Sequence, residues 1–221
     1  MIEPFSYNPP VHNGLETLYL DDHLIIVNKP SGLLATPEKG TERSDCLLSR
    51  VQLEYPGADT VDRLDMFTSG VIIFSLTSKC HKALSKQFEE KNIHKEYIAK
   101  VYDELECRKG IINLPLIADL PNRPKQKVDF MSGKLAKTQY ELITTDNSGN
   151  SLVRLIPLTS RSHQLQVHMA ALGNPILGDA MYGCDASCEA SSGLLLHAKK
   201  ISFIHPLLNI EININCPSSF E

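Results

Sequence analysis

Val61-Asp62-Arg63-Leu64-Asp65-Met66-Phe67-Thr68-Ser69-Gly70, running straight into Val71-Ile72-Ile73-Phe74, places two carboxylates and a guanidinium in a polar stretch ahead of an apolar one. Four consecutive apolar residues are enough for a buried strand, and Thr-Ser-Gly before them is turn material. The tetrad Asp62-Arg63-Leu64-Asp65 is therefore expected on a loop anchored beside the core, where binding and reactive groups concentrate.

Working outward, residues 17–20 and 24–27 are strand-like runs separated by Asp21-Asp22-His23, after which Asn28-Lys29-Pro30-Ser31-Gly32 breaks the pattern. That predicts a short hairpin leading to a loop. After the strand at 71–76, Cys80, Ala83, Leu84 and Phe88 recur at helical spacing, with Ser78 as the expected N-cap. Tyr97, Ala99 and Val101 alternate with Ile98, Lys100 and Tyr102, which is strand periodicity. Residues 118–136 are rich in Pro, Lys and Gly and read as a long functional loop or a small hairpin. Strands follow at 137–144 and 152–158; then Ser160 or Ser162 caps a helix carrying Leu165, Met169 and Leu172, and Gly173 stops it. Strands outnumber helices. The expected class is mixed α/β (α+β), a largely antiparallel central sheet flanked by helices and loops, with 1–221 as one compact unit, although two lobes sharing one sheet also fit.

The chain has 221 residues, 42% hydrophobic and 22% charged, the composition of a globular protein. No apolar stretch approaches the roughly 20 residues of a spanning helix. Met1 to Tyr7 lack the basic start and apolar middle of a secretory leader, so the expected location is the cytoplasm. The cysteines at 46, 80, 107, 184, 188 and 216 are dispersed and expected as free thiols; Cys184 and Cys188 alone are poor evidence for zinc. A net charge of -4 excludes nucleic-acid binding by global charge alone, so local clusters must carry it. Lys79, Lys82, Lys86, Lys91, His94 and Lys95 form one basic run, and Arg123, Lys125, Lys127, Lys134 and Lys137 another.

Arg63-Leu64-Asp65 followed by the Thr-Ser-Gly turn resembles the active-site motif of the RluA family of pseudouridine synthases. The likeness extends through Asn28-Lys29-Pro30-Ser31-Gly32-Leu33-Leu34, Lys95-Glu96-Tyr97, Arg161-Ser162-His163-Gln164-Leu165, Pro175-Ile176-Leu177-Gly178-Asp179 and Leu195-Leu196-His197-Ala198, all in the family's order. The segment Pro121 to Val128 is similar to that of the dual-specificity member, which modifies a tRNA anticodon loop and large-subunit rRNA. The resemblance implies the pseudouridine synthase catalytic fold over nearly the whole chain, with no S4 RNA-binding domain. It also implies structured RNA (tRNA and/or rRNA) as partner, not DNA, and no cofactor; the residues themselves lead to the expectation of no membrane span, no metal site and, for a small catalytic domain without coiled-coil heptads, a monomer.

By resemblance, Asp65 is the catalytic aspartate. Tyr97 is the active-site tyrosine, stacking on the target base and relaying its C5 proton. Arg63, beside Leu64, fills the place of a base that must be flipped from its stack. Arg161, His163 and the position of Gln166 complete the substrate-binding set, and Arg123, Lys125 and Lys127 hold phosphates. Whether the carboxylate attacks the sugar, adds to the base or abstracts a sugar proton stays open.

Two positions depart from the family. Asp62 stands where histidine is usual, and Gln166 where an arginine pairs with the catalytic aspartate. Losing a cation and gaining an anion both push a carboxylate toward protonation. Arg161 or Arg63 partly substituting, or an amide hydrogen bond from Gln166, is the expected compensation; without it the chain would be a catalytically impaired RNA-binding homologue. Paired glycosidase carboxylates at Asp62 and Asp65 fit poorly, because groups three apart in a turn need not face each other across a sugar. A metal site on His163 and His168 fails because five residues put them about 140° apart on a helix.

Overall fold

The computed structural model describes residues 7–38 and 44–221; the first six residues of the segment read above for a leader lie outside them. The chain forms two compact units, Met1–His94 with Lys200–Cys216, and Lys95–Lys199 with Pro217–Glu221.

In the first unit β1 (Thr17–Leu20) and β2 (Leu24–Lys29) form the expected hairpin. Asp21 makes its turn, Oδ1 accepting the N–H groups of His23 (2.8 Å) and Leu24 (3.0 Å). β4 (Ser69–Ser75) lies antiparallel to β2, and the short β3 (Asp59–Thr60) pairs with β4. Val71 to Phe74 are all fully buried, which is why this strand reads as a continuous apolar run. Val71 and Ile73 join Leu24, Ile26, Cys80, Leu84, Ile201, Phe203, Ile212 and Cys216 in one core cluster. The last four come from β11 (Leu196–Ile204), whose residues from Lys200 belong here and pair with β12 (Glu211–Asn215), from β12 itself, and from the residue just after it.

Helix α1 (Leu47–Glu54) begins in a capping box between Cys46 and Ser49, and α2 (Ser78–Glu89) buries Cys80 and Leu84 while its lysines, led by the exposed Lys79, lie toward solvent. Thr77, not Ser78, caps α2: its extended backbone lets Oγ1 accept the Cys80 N–H at 3.3 Å, and Ser78 is already helical. Asn28 and Lys29 do not break β2 but continue it, opposite Val71 and Gly70. Ser69 and Gly70 are already strand; Gly70, with φ of 106°, makes that entry in a conformation glycine adopts without cost.

In the second unit β5 (His94–Val101), from Lys95 on, pairs with β10 (Ser151–Pro157), β10 with β9 (Lys137–Thr145), and β9 with β6 (Lys109–Asn113), all antiparallel. The expected small hairpin begins two residues before 118: β7 (Leu116–Ala118) and β8 (Gln126–Val128) pair across a 3-10 turn at Leu120–Asn122. The hairpin packs through Leu116, Val128 and Ala136 on Val167 of α3 (Gln164–Ala171). Neither Ser160 nor Ser162 caps α3; its N-cap is His163, in left-handed backbone at φ 52° with no side-chain cap bond. Gly173, at φ 93°, ends the helix as expected. The five-residue α4 (Asp185–Glu189) completes the helices, and the fold is mixed α+β with a largely antiparallel sheet. All six cysteines are free.

Candidate functional site

The Asp65 loop is held from beneath by the segment 28–34. The turn closes with the Thr68 N–H on the Asp65 carbonyl at 3.0 Å, and Gly32 N–H donates to the Met66 carbonyl at 3.0 Å. Ser31 Oγ donates to the Phe67 carbonyl at 2.8 Å. Lys29 Nζ donates to the carbonyls of Met66 (2.8 Å), Leu33 (2.6 Å) and Pro30 (3.0 Å). Two of the six sequence motifs are thus one structure: Asn28 to Leu34 is the cradle of the Asp65 turn. Within the tetrad Leu64 is the buried anchor, Arg63 is exposed, and Asp62 and Asp65 are half-buried.

Lys29 is the residue of the cradle that sequence reasoning missed. It is 0% exposed, and three carbonyls take three N–H bonds, the number an ammonium offers. Burial pushes its pKa down to about 7, while the charge of Asp65 acts in the opposite direction, favouring the ammonium. A cation therefore lies close enough to Asp65 for the two charges to interact. The signal in sequence was a lysine closing a strand whose first four residues, Leu24 to Val27, are apolar; a lysine is rarely buried unless its charge has partners there.

The other site residues named from sequence belong to the second unit. Tyr97 lies on β5 opposite Leu155, with Lys95 Nζ 5.6 Å from its ring centroid, a cation–π distance. It lines a cavity of about 330 Å³ with Glu96, Ile98, Glu141, Arg154 and Lys199 among its walls.

The Arg161 to Leu165 motif and Pro175 to Asp179 meet at Tyr182. Asp179 Oδ1 accepts the N–H groups of Met181 (3.0 Å) and Tyr182 (3.1 Å), fixing the turn that carries the tyrosine. The Tyr182 hydroxyl then shares a hydrogen bond of 2.6 Å with His163 Nδ1 and accepts the Gln126 N–H of β8 at 2.8 Å. His163 is thereby tied to the basic hairpin. Gly178, at φ 73°, has to be glycine, since a Cβ there would stand 2.0 Å from the Gly193 carbonyl oxygen.

Gln166 is 2% exposed and its Nε2 donates to Asp179 Oδ2 at 3.2 Å. Arg161, exposed, gives Nε to the Leu135 carbonyl and Nη1 to the Ser160 carbonyl, both at 3.2 Å. The guanidinium thus braces the chain beyond the hairpin. Gln164 bonds Lys137, Thr138 and Thr159, and His168 Nδ1 bonds Thr138 Oγ1 at 2.9 Å while Nε2 donates to the Leu114 carbonyl at 3.0 Å. Burial lowers the His168 pKa, so this ring is a neutral structural link. Arg123 and Lys127 are exposed on the hairpin and Lys125 is half-buried. Among the described residues no helix is long and apolar enough to cross a membrane.

Comparison with known proteins shows the family. The chain is 45% identical over 215 residues to the dual-specificity RNA pseudouridine synthase RluA of Escherichia coli strain K12, covering 97% of this chain and 98% of the relative. It is 46% identical over 203 residues to the protein of that name from Yersinia pestis, covering 92% and 98%. The fold is also that of human RNA pseudouridylate synthase domain containing 1, with a TM-score of 0.80 at 23% identity over 97% of this chain and 87% of the human one. Residues 23–171, which include the Lys29 cradle, the Asp65 turn, the basic hairpin and α3, match the family model described as RNA pseudouridylate synthase, and the chain belongs to that family of pseudouridine-forming isomerases.

Proposed function

We propose that Asp65 is the catalytic carboxylate of this synthase and that its substrates are a uridine in a tRNA anticodon stem-loop and one in large-subunit rRNA, met in the cytoplasm. The observation that carries the first part is the cradle: three side-chain and backbone donors from 28–34, one of them a buried ammonium, fix the Asp65 turn. A surface turn aspartate needs no such foundation. The dual substrate rests on the relatives' names and on the Pro121 to Val128 segment.

The reaction breaks the N1–C1′ bond, turns the uracil, joins C5 to C1′, and moves one proton from C5 to N1. An ionised carboxylate assists the bond exchange, and a pocket that excludes water keeps the detached base from escaping. In this reading Lys29 supplies a positive charge that interacts with the Asp65 carboxylate. Tyr97 stacks on the target base and relays its C5 proton. Arg63, exposed beside the buried Leu64, inserts where the flipped base was, which offsets part of an unstacking cost of a few kcal/mol. Arg123, Lys125 and Lys127 bind phosphates, and Arg161, His163 and Gln166 hold the chain that presents them. We take 1–221 as a single catalytic domain acting as a monomer.

The test is pseudouridine formation in an anticodon stem-loop and in a large-subunit rRNA fragment by wild type and Asp65→Ala. Product from wild type alone is expected. RNA binding without product from either protein would mean that the two substitutions have left an RNA-binding homologue.

A further inference from the structure

The turn between β8 and β9 lifts Phe130 and Met131 into solvent, 75% and 95% exposed. Single exposed apolar side chains are ordinary on protein surfaces. These two stand on a backbone that cannot fold them away. Asp129 Oδ1 accepts the N–H groups of Met131 (2.9 Å) and Ser132 (2.8 Å). The Asp129 carbonyl accepts the Gly133 N–H at 2.9 Å, and the Asp129 N–H bonds the Pro115 carbonyl at 3.0 Å. Leu116 and Lys134 exchange both backbone hydrogen bonds, at 2.9 and 2.8 Å. The turn is also closed without slack: a Cβ on Gly133 would lie 2.3 Å from the Asp129 carbonyl oxygen.

Charge identifies what meets this tip. Arg123, Lys127 and Lys134 are exposed on the same hairpin and its return strand. Its two acids are engaged within the segment, Asp129 with its own backbone and Asp119 Oδ2 accepting from Asn122 Nδ2 at 2.8 Å. A second copy docking here would bring two basic hairpins together, whereas a polyanion with apolar faces suits both features. Unpaired nucleotides are such a partner, because their bases expose faces that stack on aromatic and apolar side chains, while bases in an A-form duplex do not.

We propose that Phe130 and Met131 are a stacking platform for unpaired RNA bases, flanked by phosphates on Lys127 and Lys134, and that this turn makes the enzyme prefer looped RNA to duplex. The proposal rests on the hairpin holding RNA, and extends it from charge to structure selection.

The chain contains no tryptophan, so Phe130→Trp provides a single reporter at the tip. Its emission should be quenched by a stem-loop with an unpaired loop and not by a fully paired duplex of equal length. A Phe130→Ser, Met131→Ser double variant should bind the stem-loop about tenfold more weakly. It should bind the duplex as wild type does, with unchanged salt dependence because no phosphate contact is removed. Unchanged tryptophan emission at saturating stem-loop, or equal losses for both RNAs, would overturn the platform. So would sedimentation showing a wild-type dimer that the double variant dissolves. If wild type binds neither RNA, the reading of the hairpin as an RNA contact falls too. If Lys127→Ala weakens binding while the emission of the Phe130→Trp reporter stays unchanged, only the platform falls.

Discussion

The Asp65 turn and the Phe130 turn are both rigid, but they are held in opposite ways. Under Asp65, side chains reach up into backbone carbonyls, and the strongest of them is the buried charge of Lys29. At Phe130 the backbone and one aspartate hold each other, and the large side chains are free to point outward. In the first turn the group that shapes the backbone, Lys29, also carries charge, so it cannot be replaced without touching both structure and electrostatics. In the second, substitutions would reach the proposed ligand without touching the fold.

The largest effect expected is on turnover, at the top of the cradle. Asp65→Ala should lower pseudouridine formation by about 10²–10⁴-fold or more, the range assigned to a positioned acid or base. It should leave unfolding free energy within about 0.5 kcal/mol, because the turn's own bonds use the Asp65 carbonyl, not its side chain. A large loss of stability instead would make Asp65 part of the foundation.

Lys29→Met reverses that ratio. Three buried carbonyls lose their donor, each worth about 1–3 kcal/mol when stranded, against the relief of no longer burying a charge. A net loss of about 2–4 kcal/mol in urea unfolding is expected, with turnover falling as Asp65 loses its neighbouring cation. The pH dependence carries the sign. The folded-state pKa of Lys29 is about 7, below the 10.5 of a free lysine, so between those values the unfolded chain binds more protons. Lys29 therefore adds stability as pH rises through that window, and the gap between wild type and Lys29→Met should widen from about pH 7 toward 10. A gap independent of pH would show that Lys29 keeps its proton throughout.

The same contrast explains what was legible in the sequence. The apolar run after Asp65, the β1–β2 hairpin and the helix carrying Cys80 and Leu84 obey local periodicity, and local periodicity was enough to find them. Helix α1 escaped because its cap is Cys46, outside the usual Ser, Thr, Asp and Asn set, and the start of α3 escaped because a left-handed His163 leaves no capping signature. Lys29 read as the end of a strand pattern, since its burial depends in part on the Met66 carbonyl, which sequence distance hides. The hairpin's basic residues were visible, but the apolar turn after it was not, because Phe130 and Met131 look like core residues until the turn exposes them.

On the hairpin, Arg123→Ala and Lys127→Ala should each weaken RNA binding several-fold and reduce the slope of log affinity against log salt by about 0.7–0.9 per phosphate contact removed. Thermal unfolding should not change, since both side chains are exposed. A shift in melting temperature without a change in salt slope would move these residues from the ligand side of the comparison to the fold side.

Gln166 is the smallest and sharpest case, because it combines both modes of support. Its amide fixes Asp179, whose other oxygen holds the Met181 and Tyr182 N–H groups, yet being neutral it leaves the charge of Asp179 uncompensated by this contact. Gln166→Leu would remove the positioning and should cost about 1–3 kcal/mol of stability by stripping a buried carboxylate of a donor. Gln166→Arg keeps a donor for Asp179 and adds the cation found at this position in the family, in a form able to bond a carboxylate at two points. It should raise turnover a few-fold while leaving RNA affinity as it was. If turnover is unchanged or lower in Gln166→Arg, the missing arginine does not limit this enzyme. Combining it with Lys29→Met then decides whether the buried ammonium has taken over that charge: an arginine that rescues turnover only in the Lys29→Met background makes the two cations alternatives.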